Sequence, residues 1–251
     1  MPIALDAFSQ KLKLGLDFED LLAEVERSIH GFAEKRTGSN LRYTMRDIGL
    51  SAFAVFFTQS PSFLAFQNQV QDASGQNNAR TIFGIEKIPT DNHIRNLLDQ
   101  VEPSKLFPVF ETIEERLERA GLLAPFRFLD GQLLIAIDAT GHFSSDTIHC
   151  DRCSEKHHKN GDTTYFHNTV TPVIVSPGLD KVLNLAPEFI LPQDGKTKQD
   201  CEINAMQRWL EKKGESFAKK KATVLGDDLY AHQPNIQAVL AKGLNYIFTC
   251  K

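Results

Sequence analysis

The run Leu133-Leu134-Ile135-Ala136-Ile137, closed by Asp138, constrains this chain more than any other feature. An uninterrupted apolar run of this length suits a strand buried on both faces, and such strands belong inside a covered sheet. The run also delivers a carboxylate where a sheet edge meets solvent, the usual place for a ligand or metal in an open α/β sheet. A second run, Ala222-Thr223-Val224-Leu225-Gly226, ends in the same way on Asp227 and Asp228. Around these, Thr169 to Val175 is β-rich, Ser176-Pro177-Gly178 supplies a turn, and Val182 to Leu185 reads as a further short strand. A helix is expected from about Asp200, with Ile203, Met206, Trp209 and Leu210 on one face. Pro234 opens another helix carrying Ile236, Val239 and Leu240, Gly243 closes it, and Tyr246 to Thr249 forms a last strand. The predicted order is three strands, helix, strand, helix, strand, an α/β domain over residues 126–251.

Residues 1–125 have a different texture. Phe18, Leu21, Leu22, Val25, Ile29 and Phe32 recur at helical spacing, as do Met45, Ile48, Ala52 and Val55, with Gly38-Ser39-Asn40 between them. The polar stretch Gln71 to Asn78 reads as a loop. Thr90 or Asp91 can cap a helix carrying Ile94, Leu97, Leu98 and Val101, and Leu106, Phe110, Ile113 and Leu117 define another that Gly121 would end. The expectation is an all-α N-terminal region. Short helices with turns could include a DNA-binding helix-turn-helix, and any small helical domain has the same pattern.

Composition excludes several classes. The longest apolar stretches fall well short of a membrane span, and charges interrupt the first twenty residues before a signal-peptide core could form. The expected location is the cytoplasm, with no membrane partner. Four cysteines are too few for a disulfide scaffold in 251 residues, and Cys201 and Cys250 read as buried small apolar side chains. The formal charge of −4 argues mildly against nucleic acid, although a basic face can coexist with it.

If the strands that end on Asp138 and Asp227 lie side by side, their carboxylates converge, and bound divalent cations relieve the repulsion. Mg²⁺ or Mn²⁺ suits such a pair better than zinc. Two ions about 4 Å apart can activate a water or 3′-hydroxyl and stabilise the leaving oxygen of a phosphoryl displacement. A lone aspartate after a strand is commonly a turn former or cap, so the pairing carries the argument. Asp227 is preferred to Asp228 because it follows the strand immediately.

Between the first two predicted strands lies His149-Cys150-Asp151-Arg152-Cys153, followed by His157, His158 and His167. A Cys-x2-Cys pair with a histidine four or five residues on has the spacing of a small zinc knuckle, and a polar loop with free thiols is the plain alternative. Cys150, Cys153, His158 and His167 would complete four ligands. Such a zinc would staple a hairpin insertion at residues 146–168 and would not be the catalytic ion. Lys212, Lys213, Lys219, Lys220 and Lys221 either contact phosphates or solvate a loop, and the solvated loop is the simpler reading.

Ile137-Asp138-Ala139-Thr140-Gly141-His142-Phe143-Ser144-Ser145 resembles the first catalytic aspartate motif of bacterial insertion-sequence transposases of the DDE type. Val224-Leu225-Gly226-Asp227-Asp228-Leu229-Tyr230 resembles the second, in which an aromatic often follows the aspartate by three residues. Leu185-Ala186-Pro187-Glu188, Gln193-Asp194-Gly195 and Asp200-Cys201-Glu202 are similar to connecting sequence in one branch of that family. The His158-Lys159-Asn160-Gly161 pattern, also similar to the family, favours His158 over His157. The resemblance spans residues 80 to 251. It implies a ribonuclease H-like mixed sheet with flanking helices, Asp138 and Asp227 as metal ligands, and double-stranded DNA, both element ends and target, as the partner of a dimer. It also implies a third acid, a glutamate on a helix beyond the last strand. Because the sequence stops at Lys251, and Glu202 and Glu211 lie on the wrong helix, the expectation is a C-terminally truncated transposase lacking that acid. The alternative is a non-catalytic DNA-binding remnant.

Overall fold

A computed structural model describes residues 15–38, 41–192 and 201–250. Ser39, Asn40, Gln193-Asp194-Gly195 and Asp200, which entered the reading above, lie outside the described residues. The chain forms two compact units, Met1–Ala120 and Gly121–Lys251.

Among its described residues the first unit has helices and no strands: α1 (Phe18–His30), α2 (Met45–Phe57), α3 (Phe63–Gln69), α4 (Ala73–Phe83), α5 (Asp91–Leu98) and α6 (Phe107–Arg119). Its core joins Ile29, Leu50, Ala54, Val55, Phe66, Phe83 and Ile85. Helix starts are capped as their sequences suggest. Thr44 and Asp47 form a capping box on α2, and Thr90 accepts from the His93 amide on α5. Asp47 is buried, and its other oxygen accepts the Glu86 amide at 2.9 Å, tying the segment after α4 to α2. The loop expected over Gln71 to Asn78 is instead the first half of α4. Asp72 caps it by accepting the Gly75 amide, Ala79 and Phe83 bury on one face, and Gly84 ends it in the left-handed conformation. Polar composition concealed a helix whose apolar stripe is only a few residues wide.

The second unit holds two mixed or antiparallel sheets. Its strands are β1 (Arg127–Phe128), β2 (Gln132–Ala136), β3 (Ala139–Ser145), β4 (Ser154–His157), β5 (Thr163–Val170), β6 (Val173–Val175), β7 (Leu183–Asn184), β8 (Glu188–Ile190), β9 (Ala222–Gly226) and β10 (Asn245–Phe248). Two helices accompany them, α7 (Glu202–Lys219) and α8 (Gln233–Ala241). One sheet runs β10-β9-β2-β6-β7, with β1 also paired to β2. In it β10, β9 and β2 are parallel and β2, β6 and β7 antiparallel. Leu133, Ile135, Ile174 and Val224 are fully buried, together with Met206 and Leu210 of α7, as the apolar runs required.

The second sheet joins β3, β5 and β4, with β8 on β5. Its strands are polar and mostly half-buried or exposed. Thr169 to Val175, expected as one strand, is split between the sheets at Thr171-Pro172, because proline supplies no amide to a ladder. The chain therefore leaves the apolar sheet after Ala136 and returns to it before Val173. The two crossings touch, where the Thr171 amide donates to the Asp138 carbonyl at 3.1 Å. Cys201 and Cys250 are exposed, contrary to expectation, since both fall at element ends and not within them. No helix among the described residues is long and apolar enough to cross a membrane.

Candidate functional site

Strand β2 pairs with β9 in parallel register, Leu133 with Ala222 through Ala136 with Leu225. The Ile137 amide continues the pairing by donating to the Leu225 carbonyl at 2.9 Å. Two steps beyond the last pair, Asp138 and Asp227 leave neighbouring strands at the same level, both exposed. Each uses one carboxylate oxygen locally. Asp138 Oδ1 accepts the Ala139 amide at 2.8 Å, and Asp227 Oδ1 accepts the Leu229 amide at 3.0 Å, capping a short 3₁₀ turn over Asp228–Tyr230.

That turn carries Tyr230 inward until it is fully buried. Its hydroxyl donates to the Glu202 carboxylate at the start of α7. Burial, the hydrogen bond to Glu202 and the charges of Glu202, Asp138 and Asp227 all push the phenol's pKa far upward. The hydroxyl is held protonated, as a donor, among three carboxylates. Gly226 makes room for this arrangement, since a Cβ there would lie 2.8 Å from the Tyr230 ring and 3.1 Å from that of Phe248. The sequence signalled Tyr230 only as the aromatic three residues after Asp227. Glu202, set aside there, is joined to the strand ends by this hydrogen bond across the sequence.

On the polar sheet, Cys150 and Cys153 meet His167 of β5. The sulfurs lie 3.8 Å apart, and His167 Nε2 stands 3.4 Å from Cys150 Sγ and 3.3 Å from Cys153 Sγ. The turn is closed by the Cys153 amide donating to the Cys150 carbonyl at 3.1 Å, and the Cys150 amide points at Cys153 Sγ at 3.3 Å. Cys153 is buried, and desolvation chiefly raises its thiol pKa, with the Cys150 amide opposing and the Cys150 side chain adding to the rise. Burial, then the neighbouring His142, lowers that of His167, so the imidazole stays neutral with a free lone pair. His142 stacks on the His167 ring at 5.7 Å and fixes its plane.

His158 is not brought to the cluster. Its Nε2 meets the Thr164 hydroxyl at 2.8 Å, and that hydroxyl donates to Asp146 Oδ1 at 2.7 Å. His157 contacts Thr163 at 3.0 Å. The reason is position along the hairpin: His157 ends β4 and His158 follows it at the far tip, whereas Cys153 directly precedes β4, opposite the middle of β5.

No protein-family model, curated protein or solved structure matches this chain. Its function therefore rests on its own geometry.

The lysines divide. Lys212 Nζ pairs with Glu188 Oε2 at 2.7 Å, and Arg208 Nε with Glu188 Oε1 at 2.9 Å, so this buried carboxylate fastens β8 to α7. Lys220 lies over the Phe217 ring at 5.3 Å. At least these two cations have protein partners before any phosphate is considered.

Proposed function

We propose that this protein performs metal-dependent phosphoryl transfer on DNA, as a transposase of the DDE type with a ribonuclease H-like domain. The observation that carries the reading is the β2–β9 register, which sets Asp138 and Asp227 level on adjacent parallel strands. Chain order supports it: β2, β6 and β7, then α7, β9, α8 and β10, is the succession that the resemblance implies for such a core.

The residues fit a hard divalent cation. Both aspartates are exposed oxygen donors at a sheet edge, a donor set that favours Mg²⁺ or Mn²⁺ over softer metals. Bound there, the cation would neutralise charge on the scissile phosphate and activate the attacking water or 3′-hydroxyl. The chain's own groups hold and orient. Asp138 and Asp227 bind, their backbone hydrogen bonds fix the carboxylate planes, and Tyr230 keeps Glu202 pinned at the beginning of α7. The reading places the protein in the cytoplasm on double-stranded element ends and target DNA, held as a dimer.

Two measurements test it on the purified chain. With Fe²⁺ replacing Mg²⁺, ascorbate and peroxide should cut the backbone beside residues 138 and 227, and Asp138→Asn or Asp227→Asn should suppress both cuts. Mg²⁺-dependent nicking of duplex DNA should fall at least about a hundredfold in either variant. Undiminished nicking in one of them would remove that aspartate from the site, and wild-type protein that binds DNA without cutting it would favour the non-catalytic remnant.

A further inference from the structure

The Cys150, Cys153 and His167 cluster lies outside the proposed phosphoryl-transfer site, and its geometry is more specific than its composition. For zinc with Zn–S bonds of about 2.3 Å and Zn–N of about 2.0–2.1 Å, the edges of a tetrahedron are about 3.8 Å between sulfurs and about 3.5 Å between sulfur and nitrogen. The observed separations are 3.8 Å for the sulfur pair and 3.4 and 3.3 Å for the two sulfur–nitrogen pairs. Three donors thus occupy three corners of one tetrahedron. At 3.8 Å the sulfurs are far beyond the disulfide bond length of about 2.05 Å. Two thiolates and an imidazole are soft and borderline donors, which select zinc over the hard cations suited to Asp138 and Asp227.

The supporting contacts have the same sense. The Cys150 amide, directed at Cys153 Sγ at 3.3 Å, stabilises a thiolate there.

The fourth corner is the informative one. Among the described residues, no further histidine, cysteine or acidic side chain joins the group. His158, the fourth ligand expected from sequence, is engaged by Thr164. Cys150 is exposed, so solvent reaches the cluster. We infer that Cys150, Cys153 and His167 bind one zinc ion through three protein ligands, leaving a fourth coordination position that holds water and admits a small anion. A closed structural knuckle would have no such position.

The experiment uses the whole chain, stripped of metal and reloaded with Zn²⁺ or Co²⁺. One equivalent of zinc, released to a chromogenic chelator, is expected in wild type and in His158→Ala, with affinity at least about tenfold weaker in His167→Ala. The Co²⁺ protein should display thiolate charge-transfer and tetrahedral d–d bands, and azide should shift the latter. Failure to bind a stoichiometric metal, or His158→Ala losing it as fully as His167→Ala, overturns the ligand set. A cobalt spectrum indifferent to azide overturns the open position. Wild-type metal content and spectra do not depend on any variant folding, and none of these readouts involves DNA cutting.

Discussion

The two sheets of the second unit are held together by different physics. In the apolar sheet the central strand β2 is flanked by β9 and β6, and Leu133 and Ile135 are inaccessible to solvent. Its stability is hydrophobic burial, spread over many side chains. In the polar sheet, β3 and β4 expose most of their residues, and the buried strand residues are few: Ser154 of β4, Val170 of β5, and Glu188 and Ile190 of β8. Strands of that kind bury little, so directed contacts matter more: the Glu188 ion pairs from β8 to α7 and, with zinc bound as inferred above, the Cys150-Cys153-His167 cluster. A protein can thus build one sheet from area and its neighbour from a few directed contacts, and the chemistry differs to match. Exposed carboxylates stand at the end of the first, thiols and an imidazole beside the second.

That contrast can be broken in graded steps. Ile135→Ala should cost about 2–5 kcal/mol of unfolding free energy, read from urea denaturation. Chelation of zinc should cost about 2–3 kcal/mol and should appear in hydrogen exchange as lost protection in β4 and β5, with β2 and β9 unchanged. Equal loss in both sheets would mean that they are not separately stabilised. Tyr230→Phe removes a buried hydrogen bond to a carboxylate and should cost about 1.5–3 kcal/mol. It also tests a pH dependence. The folded chain holds the Tyr230 proton above the ordinary tyrosine range while the unfolded chain releases it, so wild-type stability is complete below about pH 10 and declines as pH rises beyond that. The variant should lack that part of the decline, as urea midpoints between pH 8 and 11 would reveal. Lys156→Ala, on exposed β4, should stay within about 0.5 kcal/mol. A loss there comparable to Ile135→Ala would overturn the contrast itself.

The same division decided what could be read from sequence. Leu133 to Ile137 and Ala222 to Gly226 declared themselves because burial on both faces demands uninterrupted apolar residues. The helices around Trp209 and Val239 were legible from their stripes, to within a residue or two of their ends. Ala139 to Ser145 was not legible as a strand, since a polar, half-covered ladder imposes no alternation on its side chains. For the candidate site, Asp138, Asp227, Cys150, Cys153 and His167 came from motif spacing. Glu202 and Tyr230 meet only through tertiary structure, and His158 was drawn in because spacing along a chain does not record which end of a hairpin a residue occupies.

Asp138 belongs to neither sheet. It stands in the two-residue gap between β2 and β3, and its carbonyl receives the amide of Thr171, which lies in the matching gap between β5 and β6. The polypeptide passes through this seam in both directions, so the backbone of Asp138 is braced like a pin through two leaves of a hinge. A load applied to the polar sheet has two routes into the rest of the unit, this pin and the Glu188 ion pairs that join β8 to α7.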